Sequence, residues 1–392
     1  MTEKYRLYGI ACSLYAGKAR SYLRKQNIDF VEYGPNHPDY GKRIIPKTGR
    51  MIIPVIEAPD GQVVQDGSDI IHYFESHKLS TIPAYPNDSL KLAISFLFEL
   101  FGGEGLLRPA MHFRWDYEEN LPYLKSEFAA LAPSGFTAAQ VFEFSSAKMR
   151  KAKRFFGVTE ESEGLIISAY AEFLALMEGH LEQYPYLLGS QPSLGDYSLM
   201  APLYGHLYRD PRPSAIMRQT APLTARWVER MNTRQEYWGD YVNVDTHFDS
   251  TDTPDTLKAL MRYIADEYLP EILAHIDYAN QWLAQHPDLE AGTNGLDNPA
   301  ERVIGQSEFN WRGIALKTAV MPYRFYLLQR LQDCHDEASS EARQNISALF
   351  AETGLSTLLE ARTCRRVERK NHLEVWGKLR SNNFGSLPPE NE

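Results

Sequence analysis

The order of predicted elements in the first eighty residues is the feature that most constrains the fold of this chain. Residues 5–10 are a short, mostly apolar run, which indicates a buried strand. Residues 15–26 then place apolar side chains at helical spacing, and residues 28–33 are typical of a second strand. The basic residues of the predicted helix are expected to face mostly water: Lys18, Arg20, Arg24 and Lys25.

A hairpin and a second helix follow an irregular connection over residues 34–49. Residues 51–57 and 62–65 are two apolar runs joined by a Pro-Asp-Gly turn, which predicts an antiparallel hairpin. A helix is predicted over residues 68–76. The resulting order, β-α-β and then β-β-α, is that of a four-stranded thioredoxin-like sheet. We therefore assign residues 1–80 to an α/β thioredoxin-like N-terminal domain.

Strand signals largely vanish after this domain, and the rest of the chain is predicted to be helical in two parts. Residues 88–241 are assigned to an all-α domain, with helices over 89–101, 137–156, 163–184, 193–208 and 221–231. A polar stretch at 242–255 predicts a linker. Residues 255–380 are assigned to a further all-α extension, with helices over 255–285, 311–335, 340–350 and 354–378. The tail from Ser381 is predicted to be mobile.

Composition excludes several classes of function. The net charge of −10 argues against non-specific nucleic-acid binding, which depends on Lys and Arg neutralising phosphates. No window approaches the roughly twenty apolar residues of a membrane span, and the N-terminus lacks the apolar stretch of a signal peptide. Three cysteines are too few for a disulfide framework. We expect a cytoplasmic protein that binds neither membranes nor nucleic acid.

Cys12 and Ser13 lie where the first strand turns into the first helix. A thiol at a helix N-terminus is stabilised as thiolate by the helix dipole, so Cys12 could attack a disulfide. Ser13 could instead donate a hydrogen bond to a bound thiolate. The alternative is that Cys12 is a small buried hydrophobe and Ser13 a helix cap. Tyr15 stands where a Cys-x-x-Cys motif has its second cysteine, so a dithiol cycle is not expected.

Pro54 stands near the start of a predicted strand, where its missing N–H needs an explanation. One interpretation is a cis peptide bond that leaves the backbone of Val55 free to pair with an extended peptide. The other is an ordinary edge-strand proline.

Asp66, Gly67 and Ser68 form a turn that enters the second helix. Such a turn presents free N–H groups and a positive dipole, which suit a carboxylate. Ser68 can add a hydroxyl donor, and Asp66 can bind an ammonium group, so that together they suit an α-amino acid head group. The alternative role of Ser68 as a helix cap is compatible with this one.

A fourth motif, Gly-x-x-Pro-Ser-Leu-Gly-Asp-Tyr at residues 189–197, has the Ser-x-x-acid spacing of a capping box, and we interpret it as structural. With Cys12-Ser13, Pro54 and Asp66, this motif makes residues 5–240 similar to the glutathione S-transferase superfamily. The stretch Ala11-Cys12-Ser13-Leu14 resembles the bacterial beta class, so we interpret the chain as an atypical bacterial-type member. The all-α domain would then be transferase-like, and the long extension is a departure from the family.

The resemblance implies glutathione as co-substrate, with Cys12 or Ser13 beside its sulfur. It implies contacts of glutathione with Tyr15, Ile53 and Pro54, and pairing of Val55 with the cysteinyl part. Asp66 and the Gly67–Ser68 turn would hold the γ-glutamyl end. Gly67 stands where the family usually has serine, and Ser68 could substitute for it.

The activity implied is a detoxifying transferase that activates the glutathione thiol for attack on a small electrophilic or aromatic compound. Alternatives are a Cys12-dependent glutathione thiol-disulfide oxidoreductase and a non-catalytic binding or scaffold protein. The candidate second-substrate pocket comprises Met111, His112, Arg114 and Trp115. The competing interpretation is a helix face packed in the core, with Arg114 paired to Asp116 or Glu118.

No metal-ligand spacing and no phosphate-binding glycine loop is present, so we predict neither metal nor nucleotide. A homodimer is the family's usual assembly. Three roles are open for the extension: covering the cleft, replacing the dimer partner, or binding another protein.

Overall fold

The computed structural model describes residues 4–129, 136–235, 239–241, 248 and 252–380. The N-terminal elements are β1 (Tyr5–Tyr8), α1 (Leu14–Lys25), β2 (Phe30–Tyr33), the short α2 (Ile45–Thr48), β3 (Val55–Glu57), β4 (Val63–Gln65) and α3 (Gly67–Ser76). The strand order is β2-β1-β3-β4, with β1 parallel to β2 and the other neighbours antiparallel. The predicted thioredoxin-like domain is confirmed.

Three of the four basic residues of α1 are buried, which corrects the expectation that they mostly face water. Lys18, Arg20 and Lys25 are 2–3% exposed. Each has a polar partner, for example Glu32, whose carboxylate accepts two hydrogen bonds from Arg20. The reason is that α1 packs against α3 of its own domain and against a helix of the next domain, which together cover much of its surface.

The second part is helical, as predicted. Its elements are α4 (Ser89–Leu100), α5 (Leu107–Trp115), α6 (Leu121–Ala129), α7 (Ala138–Ala152), α8 (Glu163–Leu181), α9 (Leu194–Pro202), α10 (Pro211–Thr220) and α11 (Pro222–Met231). Wide π-type turns at 101–105 and 203–208 extend α4 and α9. Three short helices, α5, α6 and α10, are absent from the predicted set; α6 and α10 carry proline in the first turn, where it is well tolerated.

The capping box before α9 is present. The carboxylate of Asp196 accepts hydrogen bonds from the N–H and hydroxyl of Ser193, at 2.8 and 2.9 Å, and from the N–H of Leu187 at 3.0 Å. Burial raises the pKa of Asp196 to about 6. The structural interpretation of this motif is therefore confirmed.

The extension is mainly helical but also contains two β-hairpins, so the expectation of an all-α extension is corrected. Its elements are α12 (Asp255–Ala284), β5 (Gly305–Trp311), β6 (Ile314–Val320), α13 (Pro322–Glu337), α14 (Ser340–Glu352), α15 (Ser356–Glu360), β7 (Arg365–Lys370) and β8 (Leu373–Leu379). Each of the helices predicted over 311–335 and 354–378 includes residues that belong to a hairpin in the structure. The two-residue turns, Arg312-Gly313 and Asn371-His372, have positive φ angles, as tight hairpins require.

The extension packs on both preceding parts. α13 lies against α4 and against β7. One apolar core includes residues of the N-terminal domain, the helical domain and the extension. Most of the predicted linker and the tail from Ser381 lie outside the described residues. Within the described ranges, no helix is long and apolar enough to cross a bilayer.

Candidate functional site

Ser13 is the N-cap of α1. Its hydroxyl oxygen accepts a hydrogen bond from the backbone N–H of Ala16 at 3.3 Å. The side chain is half-buried, and its hydroxyl proton has no acceptor among the described residues. The free amides of the first turn and the helix dipole favour an anion here. Ser13 can therefore donate a hydrogen bond to a thiolate bound in front of α1.

The thiol of Cys12 is buried, in an apolar cluster that includes Met111, Trp115 and Phe128. Burial raises the pKa of this thiol, and the nearby guanidinium of Arg114 offsets only part of that effect. A neutral, buried thiol is a poor nucleophile. This environment favours the interpretation of Cys12 as a small hydrophobe.

Arg114 lies beneath the turn that precedes α1 and is buried. Its guanidinium donates to both carboxylate oxygens of Asp210, at 2.7 and 2.8 Å, and to the carbonyl oxygens of Cys12 and Gly205, at 2.9 and 2.7 Å. The burial of Arg114 favours the competing interpretation of a packed helix face, with Asp210 as its partner instead of Asp116 or Glu118. Arg114 instead fixes the turn that carries Ser13.

The peptide bond between Ile53 and Pro54 is cis, as one interpretation of Pro54 required. Val55 lies inside the sheet, opposite Tyr8 on β1 and Gln65 on β4. Strands therefore flank its backbone on both sides. Ile53 is half-buried, and its backbone has no hydrogen-bond partner in the described part of the chain. Ile53 is thus better placed than Val55 to pair with an extended peptide.

Asp66 caps α3 in an unusual backbone conformation, with φ 94° and ψ 141°. Its carboxylate accepts a hydrogen bond from the N–H of Ser68 at 2.8 Å. Both residues are buried. Strained conformations of non-glycine residues persist only where the surroundings fix them, and they concentrate at functional sites. The turn therefore remains a candidate site for an amino acid head group.

Lys18 is a component of this site that the sequence pattern did not reveal. Its ammonium group donates to the hydroxyl of Ser68 and to the carboxylate of Glu99, both at 2.8 Å. A Cβ atom on Gly67 would lie 3.2 Å from Cδ of Lys18, which is tighter than ordinary packing. Gly67, at the position where the family usually has serine, therefore leaves room for the Lys18 side chain to pack against the turn.

The extension reaches the same turn. The hydroxyl of Tyr323, on α13, donates to Asp66 at 2.9 Å and lies 3.3 Å from the hydroxyl of Ser68. Tyr326 donates to Asp69 at 2.9 Å. The groups predicted to hold the γ-glutamyl end of glutathione are thus bonded to the chain's own C-terminal part. Of the three roles open for the extension, this geometry favours covering the cleft.

Three arginines meet at Glu374 beside this turn, and we call these four residues the Glu374 cluster. The carboxylate of Glu374, on β8, accepts hydrogen bonds from Arg50 at 2.5 Å, Arg369 at 2.5 Å and Arg302 at 3.1 Å. Burial alone would raise the pKa of Glu374, but the three guanidinium groups together lower it to about 2. The carboxylate is therefore ionised at neutral pH.

Tyr15, predicted to contact glutathione, faces the helical part of the chain. Its hydroxyl donates to Glu104 at 3.1 Å, and Arg324 of α13 donates to the other oxygen of Glu104, also at 3.1 Å. Burial raises the pKa of Glu104, although Arg324 opposes that rise. The carboxylate thus joins α1 to the extension.

The predicted second-substrate residues are buried among parts of the extension. Met111 and Trp115 belong to the same apolar cluster as Trp311, Phe309 and Leu316, which come from the β5–β6 hairpin. The hairpin packs beside α5, with Arg108 of α5 lying 4.5 Å from the ring centre of Trp311, and this favours the packed helix face over the pocket.

His112 is also buried, and its Nδ1 lies 2.9 Å from a carboxylate oxygen of Asp116. Asp116 in turn contacts Lys153. This arrangement fits the competing interpretation of a packed helix face. Over the described ranges, no group of three or more His, Cys, Asp or Glu side chains could hold a metal ion.

Two protein-family models match the chain over the regions just described. The model of the glutathione S-transferase N-terminal domain matches residues 7–79, and the model of the C-terminal domain matches residues 168–235. The fold and these two matches show that the chain belongs to the glutathione S-transferase superfamily. A comparison with curated proteins found no match.

Solved structures with a similar fold include a beta-etherase, LigF, from Sphingobium sp. strain SYK-6, at 19% identity and TM-score 0.44, over 60% of this chain and 96% of that one. A glutathione S-transferase of Ceriporiopsis subvermispora in complex with glutathione is 15% identical, at TM-score 0.40, over 60% of this chain and 99% of that one. A Tau class glutathione S-transferase from mango, Mangifera indica L., is 18% identical, at TM-score 0.38, over 59% of this chain and 89% of that one.

Proposed function

We propose that this protein is a glutathione-dependent transferase in which Ser13, and not Cys12, stabilises the thiolate of glutathione. One observation carries the proposal: the half-buried hydroxyl of Ser13 caps α1 and keeps its proton free to donate. The backbone of Ile53, which has no hydrogen-bond partner among the described residues, supports it, because an extended tripeptide needs such a partner. A small electrophile would then react at the activated sulfur.

The Cys12-dependent oxidoreductase is the weaker alternative. Exchange requires a thiolate that can reach a disulfide in line, whereas the thiol of Cys12 is 2% exposed with a raised pKa. Ser13 is half-buried, and its hydroxyl can donate a hydrogen bond without ionising.

A comparison of Ser13→Ala with Cys12→Ala tests this assignment. Loss of the hydroxyl donor should raise the pKa of the bound thiol by about one unit, which corresponds to about 1.4 kcal/mol. The ratio kcat/KM for conjugation of a chlorodinitrobenzene should then fall roughly tenfold. The thiol pKa is measured from the ultraviolet absorbance of bound thiolate against pH.

Cys12→Ala is the matched control, since it removes a side chain of similar size from the adjacent position. It should leave both the thiol pKa and kcat/KM close to those of the wild-type chain. Equal conjugation rates for Ser13→Ala and wild type, or loss of conjugation in Cys12→Ala alone, would contradict the assignment.

A second candidate function, a non-catalytic binding protein on the transferase fold, is favoured by one observation. Asp66 and Ser68, which would hold the γ-glutamyl group, are buried and bonded to Tyr323 of the extension. Calorimetric titration with millimolar glutathione separates the two functions. Binding supports the transferase, and its absence in the wild-type chain and in the Glu374 variants described below supports the non-catalytic protein.

A further inference from the structure

The Glu374 cluster assembles cations from separate parts of the chain. Arg50 follows α2, Arg302 precedes β5, and Arg369 lies on β7. Arg50 and Glu374 are each 4% exposed. Guanidinium groups form planar forks that match a carboxylate in geometry as well as charge. The cluster therefore has the chemistry of a carboxylate-binding site, and a side chain of the protein itself supplies the carboxylate.

The cluster adjoins the turn that enters α3. Besides Glu374, Arg369 donates to Asp69 at 2.9 Å and to the backbone carbonyl of Gln65 at 3.3 Å. The guanidinium of Arg302 lies 4.8 Å from the ring centre of Tyr323, the residue that donates to Asp66. A molecule held at the turn could thus present a carboxylate to the arginines.

The charge balance of the cluster depends on Glu374. With Glu374 in place, three guanidinium groups face the carboxylates of Glu374 and Asp69. Without it, the acceptors left to Arg50 among the described residues are the carbonyl oxygens of Pro299 and Glu301, each at 3.2 Å. A buried cation left with so little compensation attracts another anion.

We propose that Arg50, Arg302 and Arg369 form a binding site for a ligand carboxylate, and that Glu374 occupies this site until a ligand displaces it. The ligand class is a peptide or amino acid carboxylate, and glutathione, which has two carboxylates, is the member that follows from the proposed function. Glu374 lies on the β7–β8 hairpin, so ligand entry requires this hairpin to move away from the turn at Asp66.

The competing explanation is an ion-pair cluster that only joins the extension to the N-terminal domain. Both explanations predict a loss of stability when Glu374 is removed. Only the binding site predicts a gain in affinity for peptide and amino acid carboxylates over a simple anion such as chloride. The test therefore measures binding as well as unfolding.

The experiment titrates the full-length chain with glutathione in a calorimeter, comparing wild type, Glu374→Ala and Glu368→Ala. Glu368 is an exposed residue of the same hairpin and is the matched control. Glu374→Ala should bind glutathione at least tenfold more tightly than wild type, and Glu368→Ala should bind like wild type. Glu374→Gln keeps one acceptor for the arginines and replaces the alanine variant if that variant does not fold; its expected gain is threefold or more.

A second experiment measures the unfolding temperature in the presence of glutarate, a dicarboxylate without thiol or peptide bond. The reference is the unfolding temperature in chloride at the same ionic strength. Glutarate should stabilise Glu374→Ala but not wild type. If glutarate stabilises Glu374→Ala in this way while neither wild type nor any variant binds glutathione, the carboxylate site stands and the proposed function fails. If wild type binds glutathione and Glu374→Ala binds no more tightly, the carboxylate site is overturned and the proposed function stands. If neither wild type nor Glu374→Ala binds either ligand, both are overturned.

Discussion

At the scale of single residues, Cys12 and Ser13 are adjacent in sequence but differ in environment. Ser13 caps a helix at a half-buried position, whereas the side chain of Cys12 points into an apolar cluster. Both residues lie in the turn between β1, which ends at Tyr8, and α1, which begins at Leu14, and this turn directs Cys12 into the apolar cluster. The helix dipole stabilises an anion at Ser13, but it cannot compensate for the removal of the Cys12 sulfur from water.

Thiol labelling checks the environment of Cys12. In the folded chain, Cys12 should react with iodoacetamide more slowly than half-buried Cys364, and at least tenfold more slowly than it does in urea, because burial both shields the sulfur and raises its pKa. Mass spectrometry of the modified peptides against time measures both rates. Faster labelling of Cys12 than of Cys364 in the folded chain would show an accessible thiolate at Cys12.

At the scale of elements, the start of α1 is fixed by close contact with the wide helical turn at residues 203–208. A Cβ atom on Gly205 would lie 2.9 Å from Cα and 3.0 Å from the backbone nitrogen of Leu14. Arg114 reinforces the contact through the carbonyl groups of Gly205 and Cys12. The position of Ser13 thus depends on the helical domain as well as on its own helix.

Gly205→Ala should therefore destabilise the protein by about 1–3 kcal/mol, the usual cost of forcing an extra carbon into a packed interface. It should also weaken glutathione binding, because the N-terminus of α1 must shift. Gly179→Ala is the control, since Gly179 lies in α8 with nothing within 4 Å of the added carbon. That variant should be as stable as wild type or slightly more stable. Urea unfolding and calorimetry measure the two effects.

Most elements of the first domain were predictable, because short strands and an amphipathic helix have clear periodicities. The hairpins of the extension were not predicted, although their turns at Arg312-Gly313 and Asn371-His372 carry a recognisable two-residue signal. Within residues 354–378, Leu355, Leu358 and Leu359 have helical spacing, and a helix does form there, but it ends at Glu360. Pairing with a neighbouring strand, which is a tertiary property, decided the outcome.

At the scale of the whole molecule, buried ion pairs join the extension to the rest of the chain. Glu374 binds Arg50 of the N-terminal domain, and Arg330 donates to Glu99 of α4 at 2.6 Å. Such pairs add little net stability compared with apolar contacts, but breaking one leaves a buried charge without compensation. They therefore fix how the extension sits on the domain.

The pKa of Glu374 predicts a specific dependence of stability on pH. Its folded value of about 2 lies below the unfolded value of about 4.3, so the folded state binds fewer protons and the contribution of Glu374 is fully present above the unfolded pKa. It is lost as pH falls from about 5 to about 2. The stability advantage of wild type over Glu374→Gln should shrink by on the order of 3 kcal/mol across this range.

Urea unfolding of both proteins at several pH values measures this difference. Glu368→Gln is the control, because an exposed carboxylate should give no comparable change. A constant difference between wild type and Glu374→Gln down to pH 3 would show that the arginines do not stabilise the ionised form of Glu374.

The sequence by itself determined the thioredoxin-like sheet, the helical second domain, and the candidates Ser13, Asp66 and Ser68, because these depend on local periodicity, capping and turn chemistry. Only the tertiary structure decided which of Cys12 and Ser13 is accessible, that Val55 is paired on both sides within the sheet while Ile53 lies outside it, and that Lys18 reaches Ser68. The contacts of Arg50 with Glu374 and of Asp66 with Tyr323 join residues more than 250 positions apart. No local pattern encodes such distant pairing; it arises when packing of the extension brings the two surfaces together.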